Sequence, residues 1–547
     1  MKNLILCLIL LITFVSCQKE NHSADLVITN AVIWTGNSNM PKVEAIAIKA
    51  DTIFAVGLIK DIQKLIGPNT KQIDAKQRFI TPGFIDSHVH LLMGGNSLLN
   101  VELRDAKTPE EFSERIKTFV KTIDKETWIV EGNWDHTLWG GELPKKEWID
   151  DFTKDNPVAV YRLDGHMILA NSAALKIAGI DKNTPEVENG VIVRHPDGTP
   201  TGILKSEAMY LVLNKIPELT TTQKEAAIHV AQEYLLSQGI TTVHDVDSLG
   251  GFAIAKKMKA NNTLKIRIYS ADPLYKWNKV KRHDVTDKWL KNGLLKGFVD
   301  GSLGSHTAAF TEPYSDKPED SGLLINTMDD LYSWTKQGDS LGFQVTIHAI
   351  GDKSNHELLN VYEKIKDESE AKDRRFRIEH AQHLLPEDIN RFAKLNVIAS
   401  VQPYHAIDDG RWAEELIGAE RIKTTYAFND LMSTDATVVF GSDWPVAPAS
   451  PLYGIYAAVT RQTLDNKNPN GWVGKQKITV EQALLAYTKN GAYGSFDEKL
   501  KGTLEVGKLA DFVILDSDIT IANPEAIKDI KVLATYIAGK KVYDSSL

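Results

Sequence analysis

The sequence predicts an α/β fold: a (β/α)8 TIM-like barrel with a small β-sandwich domain built from both chain ends and an inserted subdomain after the first barrel strand. Three observations predict it. Eight strand-like segments alternate with amphipathic helical ones through the middle of the chain, as a closed parallel barrel requires. Short β-branched runs separated by turn residues recur at both ends. One connection, residues 92–230, is too long for a single crossover.

The barrel candidates in order are "TPGFIDSHVH", "ITTVHDV", "LKIRIYSA", "LLKGFVDG", "FQVTIHAI", "RFRIEHA", "VIASVQP" and "ATVVFGSDWP". Helical patterns such as "MDDLYSWTKQGDSLG" and "LPEDINRFAKL" lie between them. The barrel is expected over 81–496, with 92–230 as the insertion over its mouth. "DLVITNAVIWTG" and "VEAIAIKADTIFAVG" near the start, and "GTLEVGKLADFVILD" and "KVLATYIAGKKVYD" near the end, assign 25–80 and 497–547 to the composite sandwich.

A chain of 547 residues buries a large core and a second smaller one. Hydrophobic residues at 43% and charged residues at 25% describe a globular protein. The net charge of −9 excludes a general nucleic-acid binder, whose phosphate partner needs a basic face. Met1-Lys2-Asn3, the apolar run Leu4–Val15 and Ser16-Cys17 describe a secretory signal over 1–16, too short for a membrane span of roughly 20 residues. A Cys directly after the small residue resembles a bacterial lipobox, with Cys17 as the lipidated residue and 17–24 as a tether; Phe14 stands where such boxes usually carry Leu, and a plain secretory signal with an incidental Cys is the alternative. Cys7 and Cys17 are the two cysteines, so the body offers no disulfide, no Cys nucleophile and no thiolate ligand. Any metal must be held by nitrogen and oxygen.

Ligand-type residues recur at the C-terminal strand ends, where barrel active sites sit. His88 and His90 close the first strand, Lys296 lies in the fourth, His348 near the end of the fifth, His380 ends the sixth and Asp443 the eighth. Strand period two puts His88 and His90 on one side. Four imidazoles and a carboxylate suit one or two divalent ions of the zinc, iron or nickel type. Each residue alone also reads as a core histidine or, for Asp443, a turn residue; the coincidence of five such residues at the expected strand ends carries the metal reading.

"TPGFIDSHVHL", "IHAIGD", "RIEHAQ" and "GSDWPV" resemble the amidohydrolase superfamily. "GNWDHTLWGG", "RLDGHMILANSAAL", "DGSLGSHTAAF" and "SVQPYHAIDDGRW" narrow the likeness to its long exo-type branch (family 3, similar to N-substituted formamide deformylases), over about Asp25 to Asp544. The resemblance implies hydrolysis of a non-peptide C–N bond in a small molecule, with two zinc ions as cofactors. His88, His90 and Asp443 would hold one ion, and His348 and His380 the other. Lys296 stands where relatives carry a lysine carboxylated by carbon dioxide, whose carbamate bridges both; a plain Lys296 beside a single ion at His88, His90 and Asp443 is the alternative. Asp443 would accept the proton of an activated water and return it to the leaving amine. His380 or His166 would steady the oxyanion. Trp134, Asp135, Trp139, Asp164, His166, His306, Gln402, Asp408, Arg411 and Trp412 fall in the resembling motifs and are expected to shape the pocket. His306 replaces an Arg frequent in relatives.

Two further readings stay open: opening of a cyclic amide or deamination of a heterocycle, against which Lys296 tilts, and a lipid-anchored binding protein without catalysis. The partner expectations are a small-molecule substrate, a bacterial membrane reached through the lipidated N-terminus, facing periplasm or cell surface, and a homo-dimer, with no nucleic acid. "HELLN" lacks a second zinc-protease histidine, and "GSLGSH" is not a nucleophile elbow.

Overall fold

The computed structural model describes residues 23–163, 165–188, 190–283 and 286–546. The expected signal, Cys17, most of the tether and Asp164 lie outside the described residues.

Eight parallel strands form one sheet: β1 (Phe84–Val89), β2 (Ile240–Asp245), β3 (Arg267–Pro273), β4 (Leu290–Phe298), β5 (Gln344–Ala349), β6 (Arg377–His380), β7 (Ile398–Val401) and β8 (Val438–Phe440). Each pairs with its neighbour in chain order, as expected. The two edges meet at the top. Val89 bridges Trp444, the Asp443 N–H donates to the His88 carbonyl at 2.8 Å, and the His90 N–H donates to the Trp444 carbonyl at 2.9 Å. The segment carrying Asp443 thus completes a nearly closed barrel.

Outward side chains of these strands, Val345, Ile347 and Ile378 among them, pack against surrounding helices in one large core with Leu358, Leu359 and Phe392. Helix Thr221–Ser237 starts on a capping box formed by Thr220 and Gln223, which satisfies two otherwise orphaned backbone donors. It runs across the boundary expected at 230, directly into β2, and packs on helix Leu91–Leu98. A Cβ at Gly95 would lie 2.0 Å from the Ala227 carbonyl oxygen, so only glycine permits this approach. Both helices therefore join the layer around the barrel. Between them a separate five-stranded sheet runs Gly190–Arg194, Pro200–Ser206, Met167–Ala170, Val158–Arg162, Ile129–Trp134.

The chain ends form two more sheets. A four-stranded one orders Thr52–Gly57, Ala45–Lys49, Leu26–Thr29 and Lys71–Asp74; a six-stranded one joins Phe79–Pro82 antiparallel to Phe512–Leu515, so both termini share it. Leu26, Ile28 and Ile46 meet Ile80, Phe512 and Tyr536 in one apolar cluster. The buried Arg267 of β3 reaches across to Asp511 with two hydrogen bonds, 2.6 and 2.9 Å, tying barrel to terminal sheet. No helix among the described residues is long and apolar enough to cross a membrane.

Candidate metal centre

Five of the six expected metal ligands come from the strands or their immediate ends, as barrel geometry demands. His88 is buried in β1, and His90 follows it with its ring partly exposed. Nε2 of His88 lies 3.3 Å and Nε2 of His90 3.2 Å from the same oxygen, Asp443 Oδ1. Asp443 sits three residues beyond β8 rather than in it, at φ +62°, and His380 ends β6 at φ +73°. Both conformations are uncommon for side chains other than glycine, and such positions gather at functional sites. The His380 ring stands 5.0 Å from that of His88 and 4.4 Å from that of His348. Lys296 of β4 and His348 of β5 complete the group on the wall of one cavity. Nζ of Lys296 makes no hydrogen bond or ion pair among the described residues and lies 4.7 Å over the Phe298 ring.

Electrostatics keep Asp443, His348 and His380 ready to coordinate, whereas at His88 burial and the Lys296 charge are outweighed by the Glu379 and Asp443 carboxylates, which raise the imidazole above its ordinary value. Burial would raise the Asp443 carboxyl, but the imidazoles of His88 and His380 around it hold it well below the carboxylate range. Burial, reinforced by the Lys296 charge, pushes His348 down to about 3, and burial depresses His380 strongly. Both rings are neutral at physiological pH with lone pairs available, the state a metal needs. Burial also lowers the Lys296 ammonium, favouring the free amine.

Beneath the centre lies a buried polar layer that sequence reasoning missed. Glu379 Oε2 sits 2.5 Å from His88 Nδ1, which fixes the ring and leaves Nε2 for the site. Glu379 is clamped by Arg377, Nη2 to Oε1 2.8 Å, and by the Thr346 hydroxyl. Arg377 continues to His244 at 2.9 Å and to the Ser87 carbonyl at 2.6 Å. "RIEHAQ" carried the signal: Arg377 and Glu379 alternate on one face, and the positive φ of His380 turns the next residue toward the same group. His405 was also missed. It belongs to the short helix Pro403–Asp409, lines the cavity and lies with Nε2 3.9 Å from Asp443 Oδ2.

The cavity, of about 560 Å³, is lined by apolar Leu163, Phe298, Leu303, Ile350, Trp412 and Val446 and by polar His166, Gln382, Asp408 and Asp409. His166, Asp408 and Trp412 are thus brought together with the metal-type residues, and His166 arrives from the five-stranded sheet. The other pocket expectations, Asp164 apart, fall outside this lining. Trp134 is fully buried in the core of that sheet, its Nε1–H donating to the Val160 carbonyl at 2.9 Å. Asp135 caps the turn His136–Trp139 through the Thr137 N–H at 3.0 Å, and Trp139 packs on Phe112 and donates to the Glu142 carbonyl. Gln402 is wholly buried below the mouth. His306 turns to Asp316 at 2.8 Å and Arg411 pairs with Asp408, both outside the cavity lining. Aromatic and amide groups in these segments serve packing because apolar faces must be covered wherever they fall.

Which residues fit a divalent cation is tested by unmet bonding. Nε2 of His88, Nδ1 of His90, Nδ1 of His380 and Nε2 of His405 are buried without a hydrogen-bond partner. Buried polar atoms are otherwise paired in more than about nine cases in ten. The four imidazoles gather around one carboxylate, His90 facing it through Nε2 while its Nδ1 faces Asp247, and fit a cation of the zinc type.

The comparisons agree with this geometry. The chain is 39% identical over 542 residues to Protein LONG AFTER FAR-RED 3 of Arabidopsis thaliana, covering 95% of this chain and 92% of that one. It is 25% identical to N-substituted formamide deformylase of Arthrobacter pascens over 95% and 98% of the two chains. The solved structure of an uncharacterized metal-dependent hydrolase from Pyrococcus horikoshii superposes with a TM-score of 0.78 at 30% identity, covering 91% of this chain and 99% of that one. The family model described as amidohydrolase family matches residues 71–543, from the last strand of the four-stranded sheet to the final strand of the chain. With a parallel barrel whose mouth gathers histidines, a lysine and an aspartate in the expected order, the chain belongs to the amidohydrolase family.

Proposed function

We propose that this hydrolase cleaves a non-peptide C–N bond, an amide, N-acyl or N-formyl linkage, in a small molecule bound in the 560 Å³ cavity. The observation that carries the reading is the approach of both His88 and His90 Nε2 to one oxygen of Asp443 at the wall of that cavity. His88, His90 and Asp443 would hold one divalent zinc-type ion, and His348 and His380, with Lys296 carboxylated as a bridging carbamate, a second. When bound, such ions activate water and polarise a carbonyl. Asp443, ionised at neutral pH by its histidine neighbours, takes up the proton and returns it to the departing amine. Glu379 orients His88 from below. His166, which lines the cavity, would donate to the oxygen on which charge develops. The apolar wall of Leu163, Phe298 and Trp412 takes the body of the substrate and excludes water. The likeness to a formamide deformylase supports this class of substrate. The five-stranded insertion, which supplies Leu163 and His166, would act as a subdomain over the mouth, and the terminal sheets as a sandwich bracing the barrel. The apolar run before Cys17 supports export and lipid anchoring, which intact mass of the membrane-extracted protein tests.

The deciding assay is amine release from a panel of N-formyl and N-acyl amines by the zinc-loaded protein. Turnover of at least one linear class, abolished in Asp443→Asn, is the expected result. Turnover of cyclic amides or aminated heterocycles alone overturns the linear-amide reading.

A further inference from the structure

We infer that His405 is a ligand of the second cation, in a position it forms with His380 and Asp443; this rests on the reading of the centre as a metal centre. Three observations lead there. Asp443 divides its oxygens: Oδ1 faces His88 and His90 at 3.3 and 3.2 Å, whereas Oδ2 faces His405 Nε2 at 3.9 Å. Donors about 2.0–2.1 Å from one tetrahedral ion stand roughly 3.3 Å apart, so the Oδ1 face already has the spacing of a shared ion and the Oδ2 face, at 3.9 Å, closes to it by a shift of about 0.6 Å. Secondly, His405 Nε2 and His380 Nδ1 are both buried without a hydrogen bond, and the two rings lie parallel at 6.4 Å, within 6°. Donor atoms of His380, His405 and Asp443 fall within 4.8 Å of one another, a grouping separate from His88–His90–Asp443.

Thirdly, the helix presenting His405 is locked. At its C-terminal end Asp409 accepts from the Tyr426 hydroxyl at 2.5 Å and from Gln382 Nε2 at 2.8 Å. The next residue, Gly410, approaches Trp472 so closely that a Cβ there would lie 2.9 Å from the indole. A side chain held by such packing is preorganised, as ligands are. The core histidine His244 also leaves a buried Nε2 unpaired, but its Nδ1 bonds Arg377, whereas no ring nitrogen of His405 makes a hydrogen bond among the described residues. A carboxylate has about four lone-pair sites, so Asp443 can serve both positions and still handle a proton.

The test counts metal. Protein stripped with chelator is reloaded with zinc, desalted and analysed for bound equivalents by mass spectrometry of the elements, for wild type, His405→Gln and His88→Ala. The wild type is expected to hold two equivalents. His405→Gln is expected to keep one tightly and to bind the second more weakly than the roughly 10–100-fold that loss of an outer-shell partner costs. Two equivalents at wild-type affinity in His405→Gln overturn the inference, as does one equivalent in the wild type, which leaves the hydrolase reading standing. No metal in the wild type overturns both. Should His405→Gln fail to fold, His405→Cys loaded with Co2+ decides: a thiolate-to-cobalt charge-transfer band is expected, and its absence overturns the assignment.

Discussion

The barrel mouth and the five-stranded sheet were both rich in motif residues, yet they treated them oppositely. At the mouth, His88, His90, Lys296, His348, His380 and Asp443 come from sequence positions as far apart as 88 and 443 and still line one cavity. In and beside the five-stranded sheet, Trp134, Asp135 and Trp139 belong to an equally distinctive motif and go to the core and to turn capping. A closed parallel barrel sends every strand end to one face whatever the intervening sequence does. An isolated sheet carries no such rule, and its apolar residues are spent wherever a face needs covering. His166 and Leu163, less conspicuous neighbours, are the ones that reach the cavity.

The contrast can be broken at five positions. The largest effect is expected at Asp443→Asn, which should lower kcat by about 10²–10⁴; a fall under tenfold would remove Asp443 from proton transfer. Next, Trp134→Ala should cost about 3–5 kcal/mol by denaturant titration with kcat unaltered. Trp412→Ala should do the reverse, raising KM with a much smaller stability loss, because its ring lines the cavity. If both variants behave alike, core and pocket are not separate as described.

A smaller effect concerns pH. His383 lies in the packed layer below the mouth, and burial, aided by the nearby Arg421 charge, holds its pKa at about 3 against an ordinary 6.5. Its folded-state pKa is depressed, so the unfolded chain binds the proton first and stability is lost as pH falls from 6.5 toward 3. Between pH 7 and 5 the single group accounts for about 2 kcal/mol at 1.36 kcal/mol per pKa unit. His383→Gln should flatten that part of the stability curve, and an unchanged slope would assign it elsewhere. The smallest effect is expected from Arg411→Gln. Its pair with Asp408 is partly exposed, so stability should change by under about 1 kcal/mol. Any larger change seen in KM would mean that Arg411 reaches the substrate after all.

Much of the barrel was legible because its strands are short β-branched runs at regular spacing and its ligands recur at their ends. All eight candidate segments contain barrel strands. Boundaries were less legible: helix Thr221–Ser237 crosses the expected limit of the insertion because its role is set by packing on Leu91–Leu98. Glu379 stood beside His380 in a motif read for its histidine, and strand alternation argued that neighbours point apart. Only the left-handed turn at His380 brings both to His88. His405 was hidden because a histidine in a short helix carries no periodic signal.

What the amino-acid sequence determined by itself is the alternation of strands and helices, the placement of ligand-type residues at strand ends, and the lack of thiols in the body of the chain. These are local properties, set by side-chain period and residue chemistry. Tertiary structure alone decided which tryptophans are core, which loop histidines reach the cavity, and how the two oxygens of Asp443 are divided between facing imidazoles. Those outcomes depend on distances between segments remote in sequence, which packing of the whole chain fixes and no local pattern encodes.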